Sequence, residues 1–179
     1  MTLKKRFLAL CVAFLAVLQG AAAASELYSY EQIAVGGVGL GASMSYVESI
    51  YGQPTDFQIL PQQEGQSYEE AVCRYGRGQG LTVYYAVGDR RNVAISVETT
   101  KAELETPSGL LVGMSDALMV ETYGTADEMM ARDDSVVYKY QYRDQCLFIT
   151  TRKGKVRSIR CSYREDYPIR WVLASSARE

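Results

Sequence analysis

The residues that could do chemistry are few: four cysteines, several adjacent carboxylates, fourteen tyrosines and no histidine. Without histidine, Ser-His-Asp and Cys-His nucleophiles, imidazole general bases and His-based metal sites are excluded in their usual forms. The cysteines show no C-x-x-C spacing, which removes zinc-ribbon and thioredoxin-like readings. Glycosidases need two acids about 5 to 10 Å apart across a substrate. Glu69-Glu70, Asp133-Asp134 and Glu165-Asp166 are instead sequence neighbours in turn-like surroundings, and read as solvated charge. The run Gly36-Gly37-Val38-Gly39-Leu40-Gly41 lacks a P-loop Lys-Ser/Thr and dinucleotide spacing, so it reads as a flexible lead-in to a helix. The composition therefore predicts no catalytic residue, no metal and no cofactor.

The thiols have a geometric reading. If Lys153-Gly154 is a two-residue hairpin turn, Arg152 faces Lys155, Phe148 faces Ile159 and Cys146 faces Cys161. Such a pair has Cα atoms about 5.5 Å apart, within disulfide range. Cys146 and Cys161 then form either a disulfide or two reduced, buried thiols. Cys73 is left over, and reads as a buried free thiol.

Positioning elements appear twice. Gly41-Ala42-Ser43, Val47 and Ile50-Tyr51-Gly52 return seventy-two residues on as Gly113-Met114-Ser115, Met119 and Thr122-Tyr123-Gly124. A repeat of that length predicts two supersecondary units completing one core. Ser43 and Ser115 suit N-caps, Gly52 and Gly124 suit helix stops, and Pro54 prevents resumption. Met44, Val47, Ile50 and Tyr51 form an apolar stripe in the first helix; Leu118, Met119 and Thr122 repeat the design in the second, over 116–123.

Polar stretches over 58–70 and 128–134 follow the helices, then strand-like alternation begins. Leu81, Val83 and Tyr85 are expected to share a dry face with Val93, Ile95 and Val97, leaving Thr82, Tyr84, Ala94, Ser96 and Glu98 on a wet one. Tyr138, Tyr140 and Tyr142 alternate with Lys139, Gln141 and Arg143, and either set could face solvent. The organisation read from this is a leader over 1–24, a first unit over 25–99, a linker over 100–109 with a helical turn at 101–105, a second unit over 110–167 and a tail over 168–179. The fold class expected is α+β: two tandem repeats, each an N-terminal helix or helix pair packed on an antiparallel sheet.

The leader sets the compartment. Lys4-Lys5-Arg6 precedes an apolar run from Phe7 to Leu18 and an Ala22-x-Ala24 cleavage site, the pattern of a secretory signal peptide. Cleavage before Ser25 leaves sixteen basic against twenty-one acidic residues, a formal charge of −5. The basic clusters Arg90-Arg91 and 152–157 read as hairpin tips, which argues against a nucleic-acid partner. No later segment has transmembrane length. The protein is expected to be exported, periplasmic or extracellular.

The pattern Gly-Met-Ser/Thr, four residues, and a glycine eleven positions after the first resembles the repeat of the secreted β-lactamase inhibitory proteins and of the SmpA/OmlA (BamE-like) envelope lipoproteins. Tyr30-Glu31-Gln32-Ile33 is similar to the lead-in of the inhibitor repeat. The resemblance implies helix-plus-sheet units whose sheets join into a concave, protein-binding surface. Ala42 stands where the motif has methionine, the lipoproteins' anchoring cysteine is missing, and the inhibitors' acidic loop lies outside the matched positions. The function expected is that of a non-enzymatic binding protein contacting another exported or envelope protein, with an envelope-associated assembly factor as the alternative. Tyr84, Tyr138, Tyr140 and Tyr142 are the candidate binding residues, because tyrosine is enriched at interfaces.

Overall fold

The chain is described by a computed structural model over residues 32–76, 80–89 and 91–175. The leader, Ser25, Tyr30, Glu31, Arg90 and the end of the tail lie outside the described residues. The elements in chain order are β1 (Ala34–Val35), β2 (Val38–Gly39), α1 (Met44–Tyr51), β3 (Asp56–Leu60), β4 (Glu69–Tyr75), β5 (Leu81–Val87) and β6 (Val93–Thr99). Then come α2 (Asp116–Tyr123), β7 (Glu128–Arg132), β8 (Ser135–Tyr142), β9 (Gln145–Arg152), β10 (Lys155–Tyr163) and α3 (Ile169–Ser175).

The expected α+β class is corrected. Strands β3 to β10 form one eight-stranded antiparallel sheet in the order β3-β4-β5-β6-β10-β9-β8-β7, and among the described residues three short helices account for only 17%. This is a mostly-β fold, not two helix-on-sheet repeats. The helices are too short to cover a sheet each: α1 buries only Val47, and α2 only Met119 and Tyr123. Ile50 and Leu118, assigned to apolar stripes, are 47% and 39% exposed. The stretches read as polar loops take in the end of the edge strand β3 and all of the edge strand β7, hidden from periodicity because an edge strand has little buried face to alternate with. The turn at 101–105 contains no helix.

Local signals were accurate where local chemistry decides. The Ser43 hydroxyl accepts from the Tyr46 N–H at 3.2 Å and the Ser115 hydroxyl from the Leu118 N–H at 3.2 Å. Gly52 and Gly124 close the helices with positive φ, and their N–H groups donate to the Glu48 and Val120 carbonyls. The glycine run is a hairpin rather than a flexible segment: Gly36 and Gly37 turn β1 into β2 at φ 57° and 79°. A Cβ on Gly36 would lie 2.4 Å from the Tyr51 hydroxyl oxygen.

Register corrects the thiol pairing. Lys153 (φ 51°) and Gly154 (φ 69°) do form a two-residue turn, with Lys155 opposite Arg152 and Val156 opposite Thr151. A bulge at Arg157 then shifts the ladder by one residue, so Cys161 faces Leu147, Cys146 faces Ser162 and Phe148 faces Arg160. Opposed residues share a face, so the slip puts Cys146 and Cys161 on opposite faces of the sheet. Cys73, Cys146 and Cys161 are all free and buried. Burial raises all three thiol pKa values, that of Cys161 to about 12, so they stay protonated. Maleimide labelling without reductant should therefore capture all three only after unfolding; finding only Cys73 accessible in the unfolded chain would show that Cys146 and Cys161 are bonded.

The main core lies on the face carrying α1 and α2. Its central row runs Phe57, Cys73, Val83, Val97, Cys161, Leu147 and Tyr140 across seven strands. From either side of it, the buried Tyr75 and Tyr85 share a hydroxyl hydrogen bond of 3.1 Å, and burial raises both phenols, Tyr75 to about 12. The residues read as a linker are tied down: the Tyr123 hydroxyl donates to Thr106 Oγ1 at 2.6 Å, which also accepts from the Leu110 N–H at 3.1 Å.

Candidate functional site

The opposite face of the sheet is covered only at one end. A bulge between Tyr84 and Tyr85 reverses the expected assignment in β6: Ala94 joins the main core, while Val93 and Ile95 turn to the other face. There Ala86, Val93, Ile95 and Val172 form a second cluster under α3. Among the described residues no helix crosses the remainder, which is largely open, with Val72 and Cys146 buried on it.

One row of this open face crosses all eight strands: Asp56, Arg74, Thr82, Glu98, Arg160, Phe148, Lys139 and Glu128. Its ends are closed by ion pairs, Asp56 with Arg74 and Glu128 with Lys139 at 3.1 Å. At its centre the Arg160 guanidinium sits 4.6 Å from the Phe148 ring centre. The next row is Gln58, Val72, Tyr84, Ser96, Ser162, Cys146 and Gln141.

Above Tyr84 and Ser96 this surface deepens into a groove of about 740 Å³. One wall is the 63–68 loop with Glu70, and the other is 163–169 with Arg160. The first wall is held by its own glutamines. Gln62 Nε2 donates to the Gln66 carbonyl at 2.8 Å, and the Gln63 N–H to Gln66 Oε1 at 3.0 Å. The second wall is aromatic and clamped: Tyr163 and Tyr167 stack with centres 5.0 Å apart, Trp171 meets Tyr167 edge-on, and Arg164 grips Asp166 through bonds of 2.8 and 2.5 Å. That grip lowers the Asp166 pKa. Partial burial raises the pKa of Glu70 and of Tyr68, the latter helped by the Glu70 charge beside it.

Of the expected tyrosines, only Tyr84 is on this face, half-buried in the groove floor. Tyr138, Tyr140 and Tyr142 lie on the helix side, so the Lys139-bearing face is the open one. Tyr140 is 3% exposed, its ring is 5.4 Å from that of Tyr123, and its hydroxyl donates to the Gly124 carbonyl at 3.2 Å. Tyr138 and Tyr142 pack against the same core. The groove residues missed in the sequence are Tyr68, Tyr163 and Tyr167, which stand at loop and strand ends without periodic context. Among the described residues no three of His, Cys, Asp and Glu gather as a metal-binding group, and no helix is long and apolar enough to cross a membrane. Rigid aromatic rings, hydroxyls and amides in an open groove equip this face for recognition by shape and hydrogen bonding.

No family model matches the chain, and no curated protein matches it. Among solved structures, it is similar to an extracellular protein containing an SCP domain from Bacillus anthracis, at 11% identity and a TM-score of 0.49, over 70% of this chain and 44% of that one. A cysteine-rich secretory protein from Staphylococcus aureus gives 14% identity and a TM-score of 0.49, over 70% and 45% of the two chains. A Streptococcus mutans protein provisionally described as a β-lactamase inhibitor gives 10% identity and a TM-score of 0.30, over 74% and 92%. The chain thus spans less than half the length of the first two. Likenesses this remote assign no function.

Proposed function

We propose that this protein is a non-enzymatic, exported binding protein that contacts another exported or envelope protein through the open face of its sheet. The observation that carries the reading is the groove over Tyr84. It lies on the uncovered face, is walled by two self-bonded segments and is floored by a half-buried tyrosine. Rigid walls lose little entropy on binding, and a tyrosine supplies contact area with few rotatable bonds. Export rests on the leader pattern preceding Ser25.

The test is photo-crosslinking from the open face, with a reactive side chain at Ser96, against the helix side, with one at Ser45, in the exported and envelope fractions of the source cells. A partner captured from Ser96 alone is the expected result. Tyr84→Ala should then weaken that partner's affinity about tenfold, or ~1.4 kcal/mol, while Tyr84→Phe keeps most of it. A partner captured equally from Ser45, or an affinity indifferent to Tyr84→Ala in a protein with an unchanged melting curve, would overturn the reading.

A further inference from the structure

The eight-stranded sheet ends on β7, whose sequence Glu128-Met129-Met130-Ala131-Arg132 carries opposite charges at its two ends and so complements itself in charge when paired antiparallel. Its hydrogen-bonding phase is defined at both ends. The two-residue turn places Arg132 opposite Ser135, and at the start of the strand the Asp127 N–H reaches the Lys139 carbonyl at 2.9 Å beside the Glu128–Lys139 pair. Ladder alternation then turns the backbone groups of Glu128, Met130 and Arg132 toward β8 and those of Met129 and Ala131 outward. Met129 is 60% exposed, and no proline, lysine or covering loop lies within the strand. Edges of this kind accept another strand.

We propose that β7 is a dimerisation edge. Two copies pair through it antiparallel about a two-fold axis at Met130, joining their sheets into one. Met129 of each copy lies opposite Ala131 of the second copy, at the positions whose backbone groups are free to exchange hydrogen bonds. Met130 meets Met130, and each Glu128 faces the Arg132 of the second copy on the open side, at the closer, non-hydrogen-bonded spacing that favours side-chain contact. The other edge is a poorer match. Self-pairing of β3 puts Asp56 opposite Leu60, and Pro54 and Pro61 flank the strand. The β7 pairing keeps the open faces of both copies on one side, so the dimer presents two grooves in the same direction and gains from multivalency. The dimer does not depend on the function proposed above.

Sedimentation of the purified protein over a concentration series tests this pairing. Dimers are expected, and Arg132→Glu, which sets glutamates opposite each other twice, should weaken them at least tenfold. Glu128→Arg should do the same with arginines, and mixing the two variants should restore a heterodimer. Ala131→Pro removes an outward N–H while leaving the bonds to β8, and should abolish dimers in a protein whose circular dichroism is unchanged. A wild type monomeric at millimolar concentration would overturn the proposal. So would a dimer indifferent to Arg132→Glu and Ala131→Pro, or one lost only on Phe57→Glu, which would move the contact to β3.

Discussion

Leu147→Ala should cost about 2–5 kcal/mol of folding stability, read as a shift in the denaturant midpoint with an unchanged slope. Leu147 is 0% exposed and sits in the middle of the core row, between Tyr140 on β8 and Cys161 on β10. It belongs to the same buried cluster as Met119 and Tyr123 of α2, so truncation opens a cavity bounded by sheet and helix together. Strands paired on both sides cannot collapse into the space without breaking ladders, which favours the upper part of the range. Leu118→Ala is the matched control: that side chain is 39% exposed on α2, and its loss should stay below about 1 kcal/mol. Equal, small losses at the two sites would show that Leu147 does not face the core.

The second large effect is at Thr106, in the stretch that reads in sequence as a mere linker. Its hydroxyl accepts from both the Tyr123 hydroxyl and the Leu110 N–H, and Thr106, Tyr123 and Leu110 are 1%, 2% and 1% exposed. Thr106→Val keeps shape and volume but removes that acceptor. Each stranded buried donor costs about 1–3 kcal/mol, so the variant should lose roughly 2–4 kcal/mol. The Thr106→Val/Tyr123→Phe double variant should lose less than the sum of the two singles, because removing the phenol hydroxyl removes one of the stranded donors. Strict additivity in equilibrium melts would mean that the Tyr123–Thr106 bond contributes nothing, and that the segment is held by its backbone bonds alone.

What could be read of the candidate site was uneven for one physical reason. Tyr84 was placed on the wet face correctly, because β4 and β5 pair without irregularity and alternation holds there. The walls of its groove were not visible: Glu70 lies at the start of β4 with Tyr68 just before it, and Tyr163 and Tyr167 come from a segment more than ninety residues later, brought near by the β6–β10 pairing. Tyr138, Tyr140 and Tyr142 form as regular an alternation as any in the chain. Period two separates two faces but does not say which one a helix will cover.

Sequence by itself determined what depends on a few adjacent residues. The serine caps, the glycine stops, the Lys153-Gly154 turn and the absence of histidine chemistry are of this kind. The caps, stops and turn are short-range contests between backbone groups and one side chain, whose outcome nothing distant changes, and the missing histidine is a matter of composition alone. Tertiary structure alone decided the rest: that eight strands merge into a single sheet through β6 and β10, that β3 and β7 exist as edges, and that bulges beside Tyr84 and at Arg157 exchange the faces of everything beyond them. A bulge inserts one residue into a two-residue period. Its position is selected by packing across the whole sheet, and the free energy that selects it appears only when distant strands meet.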